Sequence, residues 1–262
     1  IVHFAAFKSV SESVLNPLKY YKNNLYSLVN ILDQVEKKKI KNFIFSSSCT
    51  VYGEPSKLPI TEKESLKTPK SPYGYSKQIG ERIIKDLVFK STEIKSISLR
   101  YFNPIGAHES ILIGENPLDK PQNLVPMITQ TAIGKYPFLN IYGNDYKTRD
   151  GTCIRDYINV MDLADAHVSA LSKLIKMNSS FYDVYNVGTG KGTSVLEVID
   201  LFEKSNNLKL NYKFSNRRDG DVESAYASCD KINKELNWKA KYSLKDSLIS
   251  AWNWECKINS KN

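Results

Sequence analysis

The sequence predicts an α/β fold, a doubly wound parallel sheet with a smaller mixed α/β domain attached. Strand-like apolar runs alternate with helical patterns over the first hundred residues. The runs are short and continuous, which is typical of parallel strands covered on both faces. The segments that end them, FAAFK, FSSSCTVYG and RYFNPIG, are rich in small or polar residues, and such strand ends are where ligands bind.

The first strand is expected within residues 1–7. A helix follows from Asn16, a good N-cap, and Pro17, which suits the first helical position. Its apolar residues recur at helical spacing: Leu18, Tyr21, Leu25, Leu28, Leu32 and Val35. The next elements are a strand, a helix and a strand, at residues 41–46, 73–90 and 96–101.

Residues 104–153 form loops rich in Pro, Gly and Asn, with short helical pieces. Residues 154–175 and 182–205 are each expected to be a strand followed by a helix, and the first of these returns to the main sheet. The segment GTGKG at 188–192 resembles a dinucleotide loop, but the third glycine of G-x-G-x-x-G would fall on Thr193. We therefore interpret it as a tight turn.

Composition indicates an ordinary globular protein, with 41% hydrophobic and 25% charged residues. No apolar run approaches the ~18 residues of a membrane span. The net charge of +9 comes from dispersed lysines, and arginine is scarce, so we expect neither nucleic acid nor a membrane as partner. The histidines are isolated, and the cysteines are far apart, which predicts no metal site, no disulfide framework and a cytoplasmic setting: Cys49, Cys153, Cys229 and Cys256.

The segment SPYGYSKQIGERII (71–84) places two tyrosines and a lysine on one predicted helix. Tyr73 and Lys77 are four residues apart and share a face, whereas Tyr75 points elsewhere. A nearby ammonium could lower the pKa of a phenol by up to roughly 3 units, which would make Tyr73 a base for a hydroxyl proton. Chance alone predicts about two Y-x-x-x-K matches for a chain with 16 tyrosines. The spacing therefore gains meaning only from its context.

That context is Ser48, which ends a strand-like run about 25 residues before Tyr73. A hydroxyl at a strand end, one strand before a Tyr-x-x-x-Lys helix, resembles the short-chain dehydrogenases. Further motifs extend the likeness: VHFAAFKSVSES, NFIFSSSCTVYGEP, LRYFNPIGAH, GNDYKTRDGTCIRDYINVMDLADAH, YNVGTG, RRDGD and KELNWKA. Together they are similar to the UDP-glucose 4-epimerase (UDP-galactose 4-epimerase) family of extended short-chain dehydrogenases/reductases, nearly end to end.

The resemblance implies NAD as cofactor and three catalytic residues: Ser48 to hold the sugar oxygen, Tyr73 as acid/base and Lys77 as its partner, with Thr50 close by. The implied cofactor-binding residues are Phe4, Ala5, Ala6, Phe7, Lys8, Asn23, Ser48, Tyr73, Lys77 and Phe102. The implied substrate-binding residues are Ser48, Tyr73, Asn103, Asn123, Leu124, Asn140, Tyr142, Arg155, Arg218, Asp221 and Ala225. Among these, the two arginines would clamp the diphosphate, a task that suits forked donors.

The implied activity is the NAD-dependent interconversion of UDP-galactose and UDP-glucose in galactose metabolism, by a homodimer. Two alternatives stay open. A nucleotide-sugar 4,6-dehydratase would share the fold, NAD and the Tyr/Lys pair, but would carry an Asp-Glu pair where this chain reads Cys49-Thr50-Val51. A non-catalytic module that binds NAD or UDP-sugar is the other.

The chain begins at Ile1, directly on a strand-like run. The glycine-rich loop that opens the family's Rossmann domain is not among these residues, so we expect an incomplete Rossmann-like sheet and no activity from these 262 residues alone. Residues 1–103, joined by 154–176, are expected to be the C-terminal part of the NAD-binding domain. Residues 104–153 and 177–262 are expected to form the UDP-sugar-binding domain.

Ala225 bears on substrate size. In the family, the fourth residue after the aspartate of R-R-x-G-D stands beside the second carbon of the sugar, and counting from Asp221 gives Ala225. Relatives with a small residue there also accept N-acetylated sugars. The resemblance therefore implies turnover of UDP-GalNAc and UDP-GlcNAc, unless a slip of one residue places Tyr226 at that position.

Overall fold

The structure, a computed structural model, describes residues 1–117 and 119–260. Its strands are β1 (Val2–His3), β2 (Asn42–Ser48), β3 (Lys95–Tyr101), β4 (Asn103–Ile105), β5 (Leu139–Tyr142), β6 (Ile154–Arg155), β7 (Tyr157–Asn159), β8 (Phe181–Val187), β9 (Thr193–Ser194), β10 (Tyr212–Ser215) and β11 (Ser224–Ala225). Its α-helices are α1 (Val10–Leu15), α2 (Pro17–Lys37), α3 (Pro72–Lys90), α4 (Leu124–Ala132), α5 (Val160–Lys176), α6 (Val195–Asn206), α7 (Asp230–Leu236) and α8 (Leu244–Asn259).

The main sheet has the order β1-β2-β3-β8, and every neighbouring pair is parallel. Side chains alternate between its two faces. Phe43 and Phe45 pack with α2 and α3, while Ile44 between them packs with α5. Helices on both faces of a parallel sheet confirm the predicted doubly wound α/β class.

The elements predicted for this sheet up to residue 101 are present with small shifts in their ends. The strand expected to return to it within residues 154–175 does not, because β6 pairs with β9 and β11 and β7 pairs with β4; only the helix that follows, α5, packs on the main sheet. A second expectation is also wrong: residues from 177 onward were assigned to the second domain, yet β8 pairs with β3 along its whole length. Its seven residues are half-buried or buried, as an edge strand covered by helices should be. The wider division into two domains stays a prediction.

Helix α2 begins at Pro17 after Asn16, as predicted. Its buried face is displaced from the predicted one, because Tyr20 and Asn24 join Leu28, while Leu18 is 80% exposed. A separate short helix, α1, precedes it and was not predicted.

Smaller sheets and helices form the rest of the chain. β5 pairs with β10, β6 lies between β9 and β11, and β4 pairs with β7. A second core joins α4, α6 and α8 through side chains such as Ile128, Phe202 and Leu248. This core carries the segments that close over the carboxyl ends of β2 and β3.

No helix in the described part of the chain is both long and apolar enough to cross a membrane. The same residues contain no group of three or more His, Cys, Asp or Glu side chains arranged to hold a metal ion.

Candidate active site

A cavity of about 830 Å³ opens at the carboxyl ends of β2 and β3, the usual position for a ligand in such a sheet. Its walls come from α3, α5 and the segments before α4 and β11. Most of the predicted site residues line it: Phe4, Ala6, Lys8, Ser48, Tyr73, Lys77, Phe102, Asn103, Asn123, Leu124, Arg155, Arg218, Asp221 and Ala225.

Five predicted residues lie outside this lining: Ala5, Phe7, Asn23, Asn140 and Tyr142. Tyr142 is still adjacent, since its ring centroid lies 5.3 Å from the guanidinium carbon of Arg218. Asn140 is its neighbour on β5 and accepts a hydrogen bond from the Ser215 hydroxyl at 3.1 Å. These two residues therefore lie next to the cavity without lining it.

The first turn of α3 presents Tyr73 to the cavity. Ser71 caps the helix by accepting from the Gly74 N–H at 3.2 Å, and Pro72 takes the first helical position. A Cβ atom on Gly74 would lie 3.1 Å from the Thr50 carbonyl oxygen, so glycine lets this turn approach the end of β2. Tyr75 is 39% exposed and lies outside the cavity lining, as the helix geometry predicted.

The Ser48 hydroxyl has a defined direction. Its oxygen accepts from the Thr50 N–H at 3.2 Å and from the Thr50 hydroxyl at 2.9 Å. Because both lone pairs are used, the Ser48 proton is the group left to donate. The Ser48 hydroxyl opposes the rise in the pKa of Tyr73 that burial causes, and so favours the tyrosinate form. Thr50, which the resemblance placed only nearby, thus orients the Ser48 hydroxyl.

Lys77 shares the helix face with Tyr73 but bonds elsewhere. Its ammonium is buried, donates to the Ser46 carbonyl oxygen at 2.6 Å and lies 6.0 Å from the Tyr73 ring centroid. The ammonium that was expected to lower the pKa of Tyr73 is not among the groups that shift it in this structure. Burial raises the pKa of Tyr73 to about 12, against the opposing effect of Ser48. Burial also lowers the pKa of Lys77, to about 8.

The hydrogen-bond donors of Lys77 at the cavity wall fit NAD. Lys77 has three N–H groups, and only one has an acceptor among the described residues. Two buried donors at a cavity wall suit a ligand rich in hydroxyl groups, such as the ribose of a dinucleotide. Lys8 lies at the mouth, 67% exposed, and pairs with Glu115 at 2.9 Å.

Asn24 is a residue that sequence reasoning missed. Its side chain accepts from the Phe7 N–H at 2.8 Å and donates to the Phe7 carbonyl at 3.1 Å and to the Ser76 hydroxyl at 3.1 Å. It therefore fixes the segment after β1 against α3. Asn23, which was predicted to bind the dinucleotide, is exposed and donates to the side-chain oxygen Oδ1 of Asn24. The available signal was a polar residue on the apolar face of a helix.

Arg155 and Arg218 converge on one carboxylate. Asp221 accepts two bonds from Arg218, both at 3.1 Å, and lies 3.6 Å from Arg155. The side chains of Arg155 and Arg218 are 14% and 29% exposed, and both line the cavity. Two adjacent guanidinium groups held by one carboxylate retain net positive charge, which suits a diphosphate.

The GTG turn binds a protein carboxylate. Asp156 is fully buried and accepts from the backbone N–H groups of Thr189, Gly190 and Ala227. A Cβ on Gly188 would lie 2.5 Å from an Asp156 oxygen, which explains the glycine. Asp156 was not predicted, and it anchors the turn beside Arg155.

Ala225, and not Tyr226, lies in the cavity lining. Ala225 pairs with Arg155 across β11 and β6, is buried and lines the cavity. Tyr226 points away from it, towards Gly192, where an added Cβ would meet the tyrosine ring at 2.8 Å. The side chain at the position predicted to lie beside the second carbon of the sugar, here called the gate position, is therefore the methyl group of Ala225.

Comparisons with known proteins match this architecture. The family model described as GDP-mannose 4,6 dehydratase matches residues 1–250. UDP-glucose 4-epimerase 2 of Arabidopsis thaliana is 49% identical over 254 residues, which cover 97% of this chain and 72% of the relative.

Two solved structures are also similar. The UDP-glucose 4-epimerase of Bifidobacterium longum, in complex with NAD⁺ and UDP, is 44% identical, with a TM-score of 0.95 over 100% of this chain and 77% of that one. The UDP-Glc/GlcNAc 4-epimerase of Campylobacter jejuni is 38% identical, with a TM-score of 0.81 over 98% of this chain and 77% of that one.

Proposed function

This chain belongs to the UDP-glucose 4-epimerase family, and from that premise we propose that it interconverts UDP-galactose and UDP-glucose with NAD as cofactor. The observation that carries the proposal is the convergence on one cavity of Ser48, Tyr73 and Lys77 with the two arginines. The first group suits proton transfer at a hydroxyl, and the arginines suit a diphosphate. Galactose metabolism is the corresponding role.

Tyr73 and Ser48 have different roles in the proposed proton transfer. Tyr73 takes the proton from the hydroxyl on carbon four of the sugar and returns it, while Ser48 donates to the same oxygen. When bound, NAD supplies the hydride acceptor and donor for that carbon, and its positive ring favours the tyrosinate. Phe102 lies beside Ser48 and Tyr73 in the lining, where it would pack on the nicotinamide.

The arginines would allow hydride to return to either face of carbon four. Arg155 and Arg218 fix the diphosphate, with Asp221 near the uridine ribose and Asn140 and Tyr142 beside it. Asn103, Asn123 and Leu124 line the same cavity and would contact the sugar. Anchoring through UDP leaves the sugar free to turn and present either face of carbon four.

Product analysis tests this proposal against its two alternatives. The full-length protein is incubated with UDP-galactose, and the products are separated by chromatography and their masses are measured by mass spectrometry. An epimer of unchanged mass supports the proposal, whereas a product lighter by one water indicates a 4,6-dehydratase. Binding of UDP without turnover indicates a non-catalytic module. The Thr50–Ser48 hydrogen bond favours the first outcome, because no carboxylate occupies that position.

We extend the proposed substrates to UDP-GalNAc and UDP-GlcNAc. Ala225 places only a methyl group at the gate, and the similar Campylobacter jejuni enzyme is described as acting on both UDP-Glc and UDP-GlcNAc. The volume that a larger residue would fill can accept an acetamido group.

We also propose that the partner is a second copy of the chain, in the cytoplasm. Packed side by side, α2 and α3 expose large apolar side chains: Leu18 is 80%, Tyr26 63% and Phe89 73% exposed. Leu18→Glu should shift the protein towards monomers in sedimentation analysis. Val168→Glu, at a site 64% exposed on α5, is the matched control and should not.

A further inference from the structure

Glu81 is a buried carboxylate one helical turn beyond Lys77. Residues four apart on a helix share a face, so Tyr73, Lys77 and Glu81 form one row on α3. Glu81 and Lys77 are each 4% exposed. A buried charge needs a reason, because taking it out of water is costly.

The Glu81 carboxylate is fixed by two partners. Arg100 donates to its two oxygens at 2.9 and 2.6 Å, and the Ser47 hydroxyl donates at 2.5 Å. Arg100 is itself buried and gives its remaining bond to the Tyr52 hydroxyl at 2.9 Å. Lys77 bonds to the Ser46 carbonyl instead, so Glu81 acts on it through space.

The charge of Glu81 raises the pKa of Lys77. Burial among groups such as Phe45, whose ring centroid lies 4.9 Å away, lowers the pKa of Lys77 to about 8, and the charge of Glu81 opposes that change. Charge interactions are strong in the low-dielectric interior. Without Glu81, Lys77 would lose its proton at a lower pH.

The other ionisable groups around Lys77 do not replace this anion. Burial, and then the charge of Lys77, lowers the pKa of His3 on β1, which is therefore neutral near pH 7. Burial raises the pKa of Tyr73 and of Tyr101 on β3. Arg100 is a cation. Among the described residues, Glu81 is the anion that acts on Lys77.

Resting on the epimerase function proposed above, we propose that Glu81 is a positioning residue that keeps Lys77 an ammonium at the cavity wall. Arg100 and Ser47 hold the carboxylate in place for this task. A merely structural Arg–Glu pair would have no effect on the protonation of Lys77, which separates the two roles.

The test is the titration of Lys77 in the full-length protein labelled with ¹³C at the lysine ε-carbon. The Lys77 signal is assigned by its loss in Lys77→Met. In Glu81→Gln, the titration midpoint should fall by roughly one pH unit. The midpoint should also fall in the double variant Glu81→Gln/Arg100→Gln, which leaves no unpaired arginine. If the single variant does not fold, the double variant tests the role of Glu81. Ser47→Ala removes a bond to the same carboxylate without removing charge, and should leave the midpoint unchanged.

Activity supplies the second measurement. At pH 8 and above, Glu81→Gln should be slower than the wild type by roughly three- to tenfold, and the difference should vanish near pH 6.5, where both enzymes keep the ammonium. An unchanged midpoint in both charge variants would overturn the proposal, as would a shift confined to the single variant, or a wild-type Lys77 that titrates near its ordinary value. If the wild type lacks epimerase activity, the proposed function fails, but the titration still decides the role of Glu81.

Discussion

The Lys77 ammonium lies 2.6 Å from the Ser46 carbonyl oxygen, at the end of the strand that carries Ser48. This bond directs the side chain along the cavity wall instead of towards Tyr73. One hydrogen bond does not offset the cost of burying a charge, which is why the pKa of Lys77 falls to about 8. A functional charge held in this way should reduce the stability of the fold.

Lys77→Met should therefore stabilise the protein while abolishing turnover. The unfolded state holds the lysine proton more tightly than the folded state, so stability rises with pH between about 8 and the ordinary lysine value. Below pH 8 the full cost applies, and the variant should gain up to roughly 3 kcal/mol at pH 7. The gain should shrink as pH rises through that window. Denaturant unfolding at several pH values measures it.

Lys85→Met is the matched control for this experiment. Lys85 lies on the same helix and is exposed, so its replacement should change stability little at any pH. A Lys77→Met protein that is less stable than the wild type by a constant amount at all pH values would contradict the argument.

Tyr73→Phe should lower kcat by about 10²–10⁴-fold and leave UDP binding nearly intact, because it removes only the proton-transfer group. Tyr75→Phe should change little, since Tyr75 lies outside the cavity lining. Steady-state kinetics and calorimetry of UDP binding measure the two effects. Greater damage from Tyr75→Phe would reverse the assignment.

Asn24→Ala should weaken NAD binding more than UDP binding. Its loss leaves the Phe7 N–H and carbonyl without their partners, in the segment that we propose lines the cofactor. Asn23→Ala is the matched variant, because Asn23 is the neighbour that the resemblance favoured. Titration with each ligand compares them. A larger loss of NAD affinity in Asn23→Ala would restore the original expectation.

The main sheet could be predicted because its information is local. A continuous apolar run such as NFIFS predicts a buried strand by itself. The spacing of four residues between Tyr73 and Lys77 likewise predicts that the two side chains share one face of their helix. The displaced face of α2 shows the limit of this reasoning. Leu18 fits the apolar pattern but is 80% exposed, whereas the polar Asn24 is buried because its amide meets backbone groups of the segment after β1.

Pairings between distant segments could not be predicted. Asp156 binds a turn at Thr189, which lies 33 residues further along the chain. Glu81 meets Arg100 only because α3 packs on the strand beside it. No periodicity reports such contacts, since each depends on how whole elements are placed in space.

The gate position gives the last prediction. Ala225 is 6% exposed and packs with Val51, Tyr52 and Phe102, so its methyl group closes one side of the cavity without filling it.

The wild-type protein should interconvert both UDP-galactose with UDP-glucose and UDP-GalNAc with UDP-GlcNAc. Ala225→Tyr should retain the first activity and lose the second by roughly 10–100-fold, because overpacking against the acetamido group costs about 1–3 kcal/mol. Tyr226→Phe is the control, since Tyr226 faces Gly192, and it should leave the preference unchanged. Retained turnover of UDP-galactose shows that the tyrosine variant is folded, so the comparison isolates the sugar. Failure of the wild type to act on UDP-GalNAc would refute the open gate, and equal turnover in Ala225→Tyr would place the specificity elsewhere in the cavity.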